Sequence, residues 1–195
     1  MKKKTIVIGS GLGGLATAVR LASRGHEVEI YEKRDQPGGQ ACVYEMNGFK
    51  FDGGPTLITA PFMLDAIWRA AGKNRADAFP LVPLDPYYRV LDGQGRYFDL
   101  SGDEERVLAQ IEQLSPADRS GYLAYRDFAR ACFDRGFLEI ATRPFLKTID
   151  LLSIAPDLLR PPVRRSVSEQ TNQRVQDDFL RRILSLYPLM LGGSP

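Results

Sequence analysis

Histidine is almost missing from this chain of 195 residues, with His26 the only one, and cysteine is nearly as scarce. Cys42 and Cys132 show no paired spacing, so neither a disulfide framework nor a thiolate metal site is expected. The same scarcity argues against histidine-based catalysis and histidine metal ligation, and His26 reads as a solvated turn residue between a helix and a strand. A dominant charge is lacking too. The net charge of +2 is too small for the electrostatic footprint of a nucleic-acid binder. No stretch approaches the roughly 20 apolar residues that span a bilayer. Lys2, Lys3 and Lys4 ahead of the uncharged run Thr5 to Val19 imitate a secretory leader. Glycines inside that run, and its smooth continuation to Glu32, argue against one. What remains, 44% hydrophobic and 26% charged, is the composition of a globular protein.

The informative stretch runs from Thr5 to Gly39. Ile6, Val7 and Ile8 form a β-branched run suited to a strand buried on both faces. Gly9, Gly11 and Gly14 then fill the three glycine positions of G-x-G-x-x-G, with Ser10 and Gly13 between them. In such a turn the first glycine makes the tight bend and the second lets a pyrophosphate approach the backbone. The third lets helix and strand pack closely. Leu12, Leu15, Ala16 and Val19 share one face of the following helix, and Gly25 stands where its C-terminal left-handed residue belongs. Val28 and Ile30 alternate with Glu27 and Glu29 in a second strand that ends at Glu32. That acid lies eighteen residues after Gly14, the place for a carboxylate that meets ribose hydroxyls. Phosphates would rest on the free N–H groups at the helix start. A glycine motif alone is weak, but strand, helix, strand and acid agree on a dinucleotide site.

Beyond Glu32, Lys33 and Arg34 read as a solvated strand end, with neutralising a phosphate or accompanying the adenosine end as the alternative. Glu32 itself would repel a 2′-phosphate, which speaks against NADP. Val43 to Met46 and Phe49 to Phe51 flank Asn47-Gly48, the favoured type I′ hairpin pair. The hairpin delivers Asp52-Gly53-Gly54-Pro55-Thr56, a segment fit for close approach by something flat. A helix is expected from Pro61 to Ala71, stopped by Gly72. Residues 73 to 100 read as strands of a second region: Leu81 to Leu84, Tyr87 to Leu91, and Tyr97 to Leu100. Ser101 and Glu104 read as a capping box. Ser115-Pro116-Ala117-Asp118 opens a helix to about Arg135, whose aromatics read as core or as a tunnel wall. Leu151 to Leu159 beside Arg160, Arg164 and Arg165 form either a solvated helix end or a membrane-docking surface. A last helix is expected around Asp177 to Leu191.

With those residues in hand, the chain resembles the bacterial-type phytoene desaturases, an FAD-dependent carotenoid desaturase family. The resemblance rests on Val7-Ile-Gly-Ser-Gly-Leu-Gly-Gly-Leu15, Pro37-Gly-Gly39 and Phe51-Asp-Gly-Gly-Pro-Thr-Leu-Ile-Thr59. Arg135-Gly-Phe-Leu138 and Leu191-Gly-Gly-Ser-Pro195 add to it. It implies an α/β fold: a Rossmann-like FAD-binding unit with an incomplete parallel sheet, then a mixed, mainly helical part of a substrate domain. The expected boundaries are 1–72 and 73–195. It also implies FAD, held by Gly9, Ser10, Gly11, Gly13 and Gly14 at the pyrophosphate and by Glu32 and Lys33 at the adenosine end. Gly38, Gly39, Gly53, Gly54, Pro55 and Thr56 would lie towards the flavin. The implied reaction turns a CH–CH bond of phytoene into C=C, with oxygen or a quinone as electron acceptor. Asp150 is the one acid/base residue carried over. The family has arginine where this chain has Gln40, and arginine before the aspartate where this chain has Ile149. The implied location is cytoplasmic, peripheral on the inner face of the cell membrane.

The resemblance covers the N-terminal two-fifths or so of a typical member. A fragment or truncated reading frame is therefore expected, binding FAD weakly and desaturating nothing by itself. Rival readings are a carotenoid ketolase, a carotene isomerase or an amine oxidase of the same start. Further rivals are a non-enzymatic prenyl-binding module like the Rab GDP-dissociation inhibitors, and a plain NAD dehydrogenase.

Overall fold

The computed structural model describes residues 3–54, 57–159, 164–190 and 193–194. The chain divides into two compact units, residues 1–82 and 83–195.

In the first unit, strand β1 (Lys4–Ile8) leads through the glycine turn into helix α1 (Leu12–Ala22), and strand β2 (Glu27–Tyr31) returns parallel to β1. Thr5 pairs with Val28 and Val7 with Ile30. This is one strand–helix–strand crossover of a Rossmann-like sheet. The expected burial of β1 on both faces is not met: Ile6 is 57% exposed and Ile8 89%. The physical reason is that β2 is the only strand paired with β1 among the described residues. His26 departs in the opposite sense, because its Nδ1 is out of solvent rather than solvated.

Strands β3 (Val43–Met46) and β4 (Phe49–Asp52) form the expected hairpin. Asn47 and Gly48 both take positive φ, 52° and 80°, which the type I′ turn demands. Helix α2 (Pro61–Ala70) follows, with Pro61 in its first turn. The Arg75 guanidinium then ties back to Asp65 at 2.6 Å, and the Phe79 ring meets Trp68 edge-on.

The strand expected at Leu81 to Leu84, where the two units divide, is irregular backbone instead. The hairpin of the second unit joins β5 (Tyr88–Leu91) and β6 (Tyr97–Leu100) around the Asp92 turn. Helix α3 (Glu104–Leu114) is capped by Asp103, which accepts from the N–H groups of Glu105 and Arg106. Ser101 is not the cap, because its hydroxyl bonds Asp85 instead. The long helix expected from Ser115 is three pieces. A 3₁₀ turn (Pro116–Asp118) leads into α4 (Arg119–Cys132), which widens to a π-helical stretch over Phe133–Ile140. Short helices α5 (Thr148–Leu152), α6 (Ala155–Leu158) and α7 (Val167–Asn172) come next. The last expected helix is broken into α8 (Asp178–Leu184) and α9 (Tyr187–Met190), with Leu191 outside the described residues.

The core of this unit gathers Phe98 from β6, Val107 and Ile111 from α3, and Val175, Phe179, Leu180 and Ile183 from the α8 region. Tyr122 and Tyr125 of α4 pack against it, while Cys132 and Phe133 at the end of the same stripe are exposed. The core reading of those aromatics therefore holds for the first half of α4. Asp118 fastens α4 to α8. Its side chain is 1% exposed and accepts from the N–H groups of Gln176 at 2.6 Å and Asp177 at 2.8 Å. Burial pushes its carboxyl up, but those N–H groups outweigh it and the net shift is below the usual carboxylate range. Replacing Asp118 by Ala leaves two buried donors unpaired and is expected to cost about 2–3 kcal/mol in urea unfolding. Because the folded-state value is depressed, this contribution is present at neutral pH and is lost as pH falls through and below the carboxylate range. The gap between the wild-type and Asp118→Ala stabilities is thus expected to narrow in acid.

Candidate functional site

The first glycine turn needs glycine at two places, for a left-handed backbone at Gly9 and for a close approach at Gly14. Gly9 sits at φ +92°, and its N–H donates to the Tyr31 carbonyl at 2.7 Å, joining the ends of β1 and β2. A Cβ on Gly14 would lie 2.1 Å from the Gly9 carbonyl oxygen, so the helix can enter under the turn only with glycine there. Gly11 caps α1 without a side-chain bond, and no acid stands in the first turn. The first N–H groups of α1 are therefore left for an anion, with the positive end of the helix dipole behind them. Gly13 is an exposed residue of that first turn.

The second glycine turn lies directly on the first. Gly38 N–H donates to the Ser10 carbonyl at 2.9 Å, and Gly11 bridges Gly38 in parallel register. Gly39 has φ +62°, and a Cβ there would come within 2.9 Å of Gly11 Cα. Glu32 joins the two turns from the side. Ser10 donates to its Oε2 twice, from N–H at 2.7 Å and from the hydroxyl at 2.8 Å, and Arg34 N–H donates to Oε1 at 3.0 Å. The Ser10 N–H is the leading cause that pulls the Glu32 carboxyl down to about 2, and the N–H of Arg34 and the Ser10 hydroxyl add to it. Glu32 is consequently anionic at every physiological pH.

The structure thus brings Gly9, Ser10, Gly11, Gly14, Glu32, Gly38 and Gly39 together. Lys33 is exposed next to Glu32. Gly53 and Gly54 run along the segment that leaves the second turn. Gly53 N–H donates to the Cys42 carbonyl at 2.8 Å, and a Cβ on Gly54 would fall 2.1 Å from the Gln40 carbonyl oxygen. Pro55 and Thr56 lie outside the described residues. Asp150 belongs to the other unit, where its Oδ2 accepts from the N–H groups of Leu146 and Lys147 and caps α5.

Two features were not anticipated. The Arg34 guanidinium donates to the Gly39 carbonyl at 2.9 Å, a role in neither reading given to it, and nothing in the local pattern announces it. An apolar cavity of about 730 Å³ also opens between α1 and α2, lined by Leu15, Val19, Leu64, Ile67 and Trp68 among others. The stripes on the two helices were the available signal.

Residues 7–71 match the model of an NAD(P)-binding Rossmann-like domain. Over 99% of its length the chain is 42% identical to a lycopene-forming phytoene desaturase of Pantoea ananas, of which it covers 39%. The similarity to phytoene desaturases thus runs the whole length of the chain. A neurosporene-forming phytoene desaturase of Rhodobacter capsulatus is 34% identical over 98% of the chain, which covers 37% of that protein. The chain spans about two-fifths of the length of the curated proteins it matches. A solved putrescine oxidase variant, from a redesign of cofactor binding, superposes with a TM-score of 0.52 at 19% identity. The superposition covers 99% of this chain and 38% of the oxidase and shows the shared fold. The first unit is accordingly of the dinucleotide-binding Rossmann type.

Gly14→Ala is expected to force the helix off the turn, destabilising the first unit by about 1–3 kcal/mol and abolishing dinucleotide binding. Thermal unfolding followed by circular dichroism and a ligand titration check both. A carbon-13 titration of Glu32 is expected to show a midpoint near 2, against about 4.3 for a free glutamate. The Ser10–Glu32 bond should hold above the free-glutamate value and fail only as pH falls towards 2.

Proposed function

We propose that this chain supplies the cofactor-binding front part of an FAD-dependent carotenoid desaturase acting on phytoene. The observation that carries the reading is the pair of interlocked glycine turns clasping Glu32, a cradle that side chains at Gly14 or Gly39 would fill. Its support is the match along the whole chain to proteins named for phytoene desaturation.

A bound FAD would supply the acceptor for the hydride equivalent that a CH–CH bond flanked by double bonds loses, together with a proton released to solvent, to become C=C. The chain's own residues bind and orient. N–H groups from Gly11 onwards neutralise the pyrophosphate, and Gly9, Gly13 and Gly14 keep the backbone close to it. Glu32, flanked by Lys33, takes the ribose. Gly38, Gly39, Gly53 and Gly54, which carry no side chain, face the ring system. Asp150 is kept out of the proposed chemistry, because its carboxylate is engaged at the start of α5. The substrate is a hydrophobic polyene, and the electrons pass on to oxygen or a quinone.

Two measurements test this. The purified chain is expected to bind added FAD weakly, and Glu32→Gln is expected to weaken that binding about tenfold, the loss of one charged hydrogen bond. A chimera of residues 1–195 with the remaining three-fifths of the Pantoea relative is expected to turn a phytoene-accumulating host red. A colourless, flavin-free chimera would overturn the reading.

A membrane surface is the proposed place of work. No helix among the described residues is long and apolar enough to cross a membrane. Around α5, however, Leu146 is 85% exposed, and Ile149, Leu151 and Leu152 are exposed beside Arg143 and Lys147. Asp150 is turned to the backbone, and Glu139 pairs with Arg143 at 3.8 Å. Arg164 and Arg165 are also exposed, while Arg160 lies outside the described residues. Apolar side chains next to cations fit an anionic bilayer surface. Ile149→Asp with Leu152→Asp is expected to reduce co-sedimentation with phosphatidylserine vesicles several-fold without changing the circular dichroism spectrum.

A further inference from the structure

A carboxylate has about four acceptor positions, two on each oxygen. On Glu32, both positions of Oε2 are taken by Ser10, through its N–H at 2.7 Å and its hydroxyl at 2.8 Å. On Oε1 the Arg34 N–H takes one position at 3.0 Å, whereas the Lys33 N–H is the weakest influence on the carboxyl and is not in hydrogen-bond geometry with it. One position, on Oε1, is left. A ribose offers two adjacent hydroxyls, and a glutamate with both oxygens open could accept from both.

The geometry points to Ser10 as a specificity-determining residue: its hydroxyl fills Oε2 of Glu32 and leaves the carboxylate able to accept one ribose hydroxyl rather than two. This rests on the reading of the first unit as a dinucleotide site and says how that site reads the sugar. Ser10 is buried at the junction of the two glycine turns, and its carbonyl is held by Gly38 N–H. Its hydroxyl therefore has no solvent to turn to when a ligand arrives. Backbone N–H groups cannot be removed by substitution, but the hydroxyl can. Ser10→Ala keeps the 2.7 Å N–H bond and opens one position on Oε2. The expected consequence is a change in which sugar hydroxyls matter.

The test titrates the chain with ADP, 2′-deoxy-ADP and 3′-deoxy-ADP, following the amide resonances of Gly9 to Gly14. In the wild type, one deoxy analogue is expected to bind within about twofold of ADP and the other about tenfold more weakly. In Ser10→Ala, both deoxy analogues are expected to fall several-fold below ADP. Glu32→Gln, which keeps the side-chain shape, is expected to flatten the wild-type difference between the analogues. A structural loosening by Ser10→Ala would lower all three affinities together and leave their ratios unchanged. That result overturns the inference. So does a wild type that loses affinity equally for both deoxy analogues. If ADP shifts none of the Gly9–Gly14 amides, the dinucleotide site itself fails, and this inference goes with it.

Discussion

The first unit depends on one carboxylate placed where two backbone turns touch. Two glycine turns in van der Waals contact present carbonyls and N–H groups at close range, and those groups need partners when water is excluded. Glu32 provides them from the end of β2, accepting from Ser10 in the first turn and from Arg34 at the start of the second. Arg34 completes the circuit by donating to Gly39. The negative charge is stabilised by dipoles rather than by a salt bridge, which is why its carboxyl is held so low. The same carboxylate is bonded to Ser10, the residue before the N-cap of α1, so the fold sets an anion one residue from the helix start. A ligand that satisfies both must carry phosphate and hydroxyls next to each other, as a nucleotide does.

The second unit uses a carboxylate in the same way. Asp118 is buried and meets backbone N–H groups far along the chain, as Glu32 does. Each anion substitutes for the backbone pairing that a loop junction cannot supply. Asp99 shows the alternative solution. The Arg89 guanidinium forks onto it at 2.6 and 2.9 Å, Arg106 adds a further bond, and the pairing with Arg89 holds its carboxyl below the usual range. A strand position there leaves room for long cationic side chains on one face, whereas a turn does not.

The two units differ in how completely they cover their apolar residues. The second closes a core around Ile111, Leu180 and Ile183, none more than 1% exposed. The first leaves Ile8 and Leu12 open and a cavity between α1 and α2. In a doubly wound sheet, the strand that follows into α1 has neighbours on both sides. Here it has β2 alone among the described residues, and the exposure of Ile6 and Ile8 follows directly.

The strand–helix–strand order, the hairpin at Asn47-Gly48 and the glycine clamp were legible from residue types, because each is set within one turn or one period of chain. Positive φ selects glycine or asparagine, and helix and strand periods sort apolar from polar positions, whatever the rest of the molecule does. The break in α4 and the shift of the α3 cap from Ser101 to Asp103 were not legible. A serine can cap or bond elsewhere, and Asp85 claimed it. The carboxylates make the division plainest. By itself the sequence determined that Glu32 would stand at the end of a strand near a phosphate-binding turn. Only the tertiary structure decided that Ser10 would occupy half of it and that Asp118 would fasten α4 to α8. Those donors lie 22 and 58 residues away, and their approach is decided by how the elements pack.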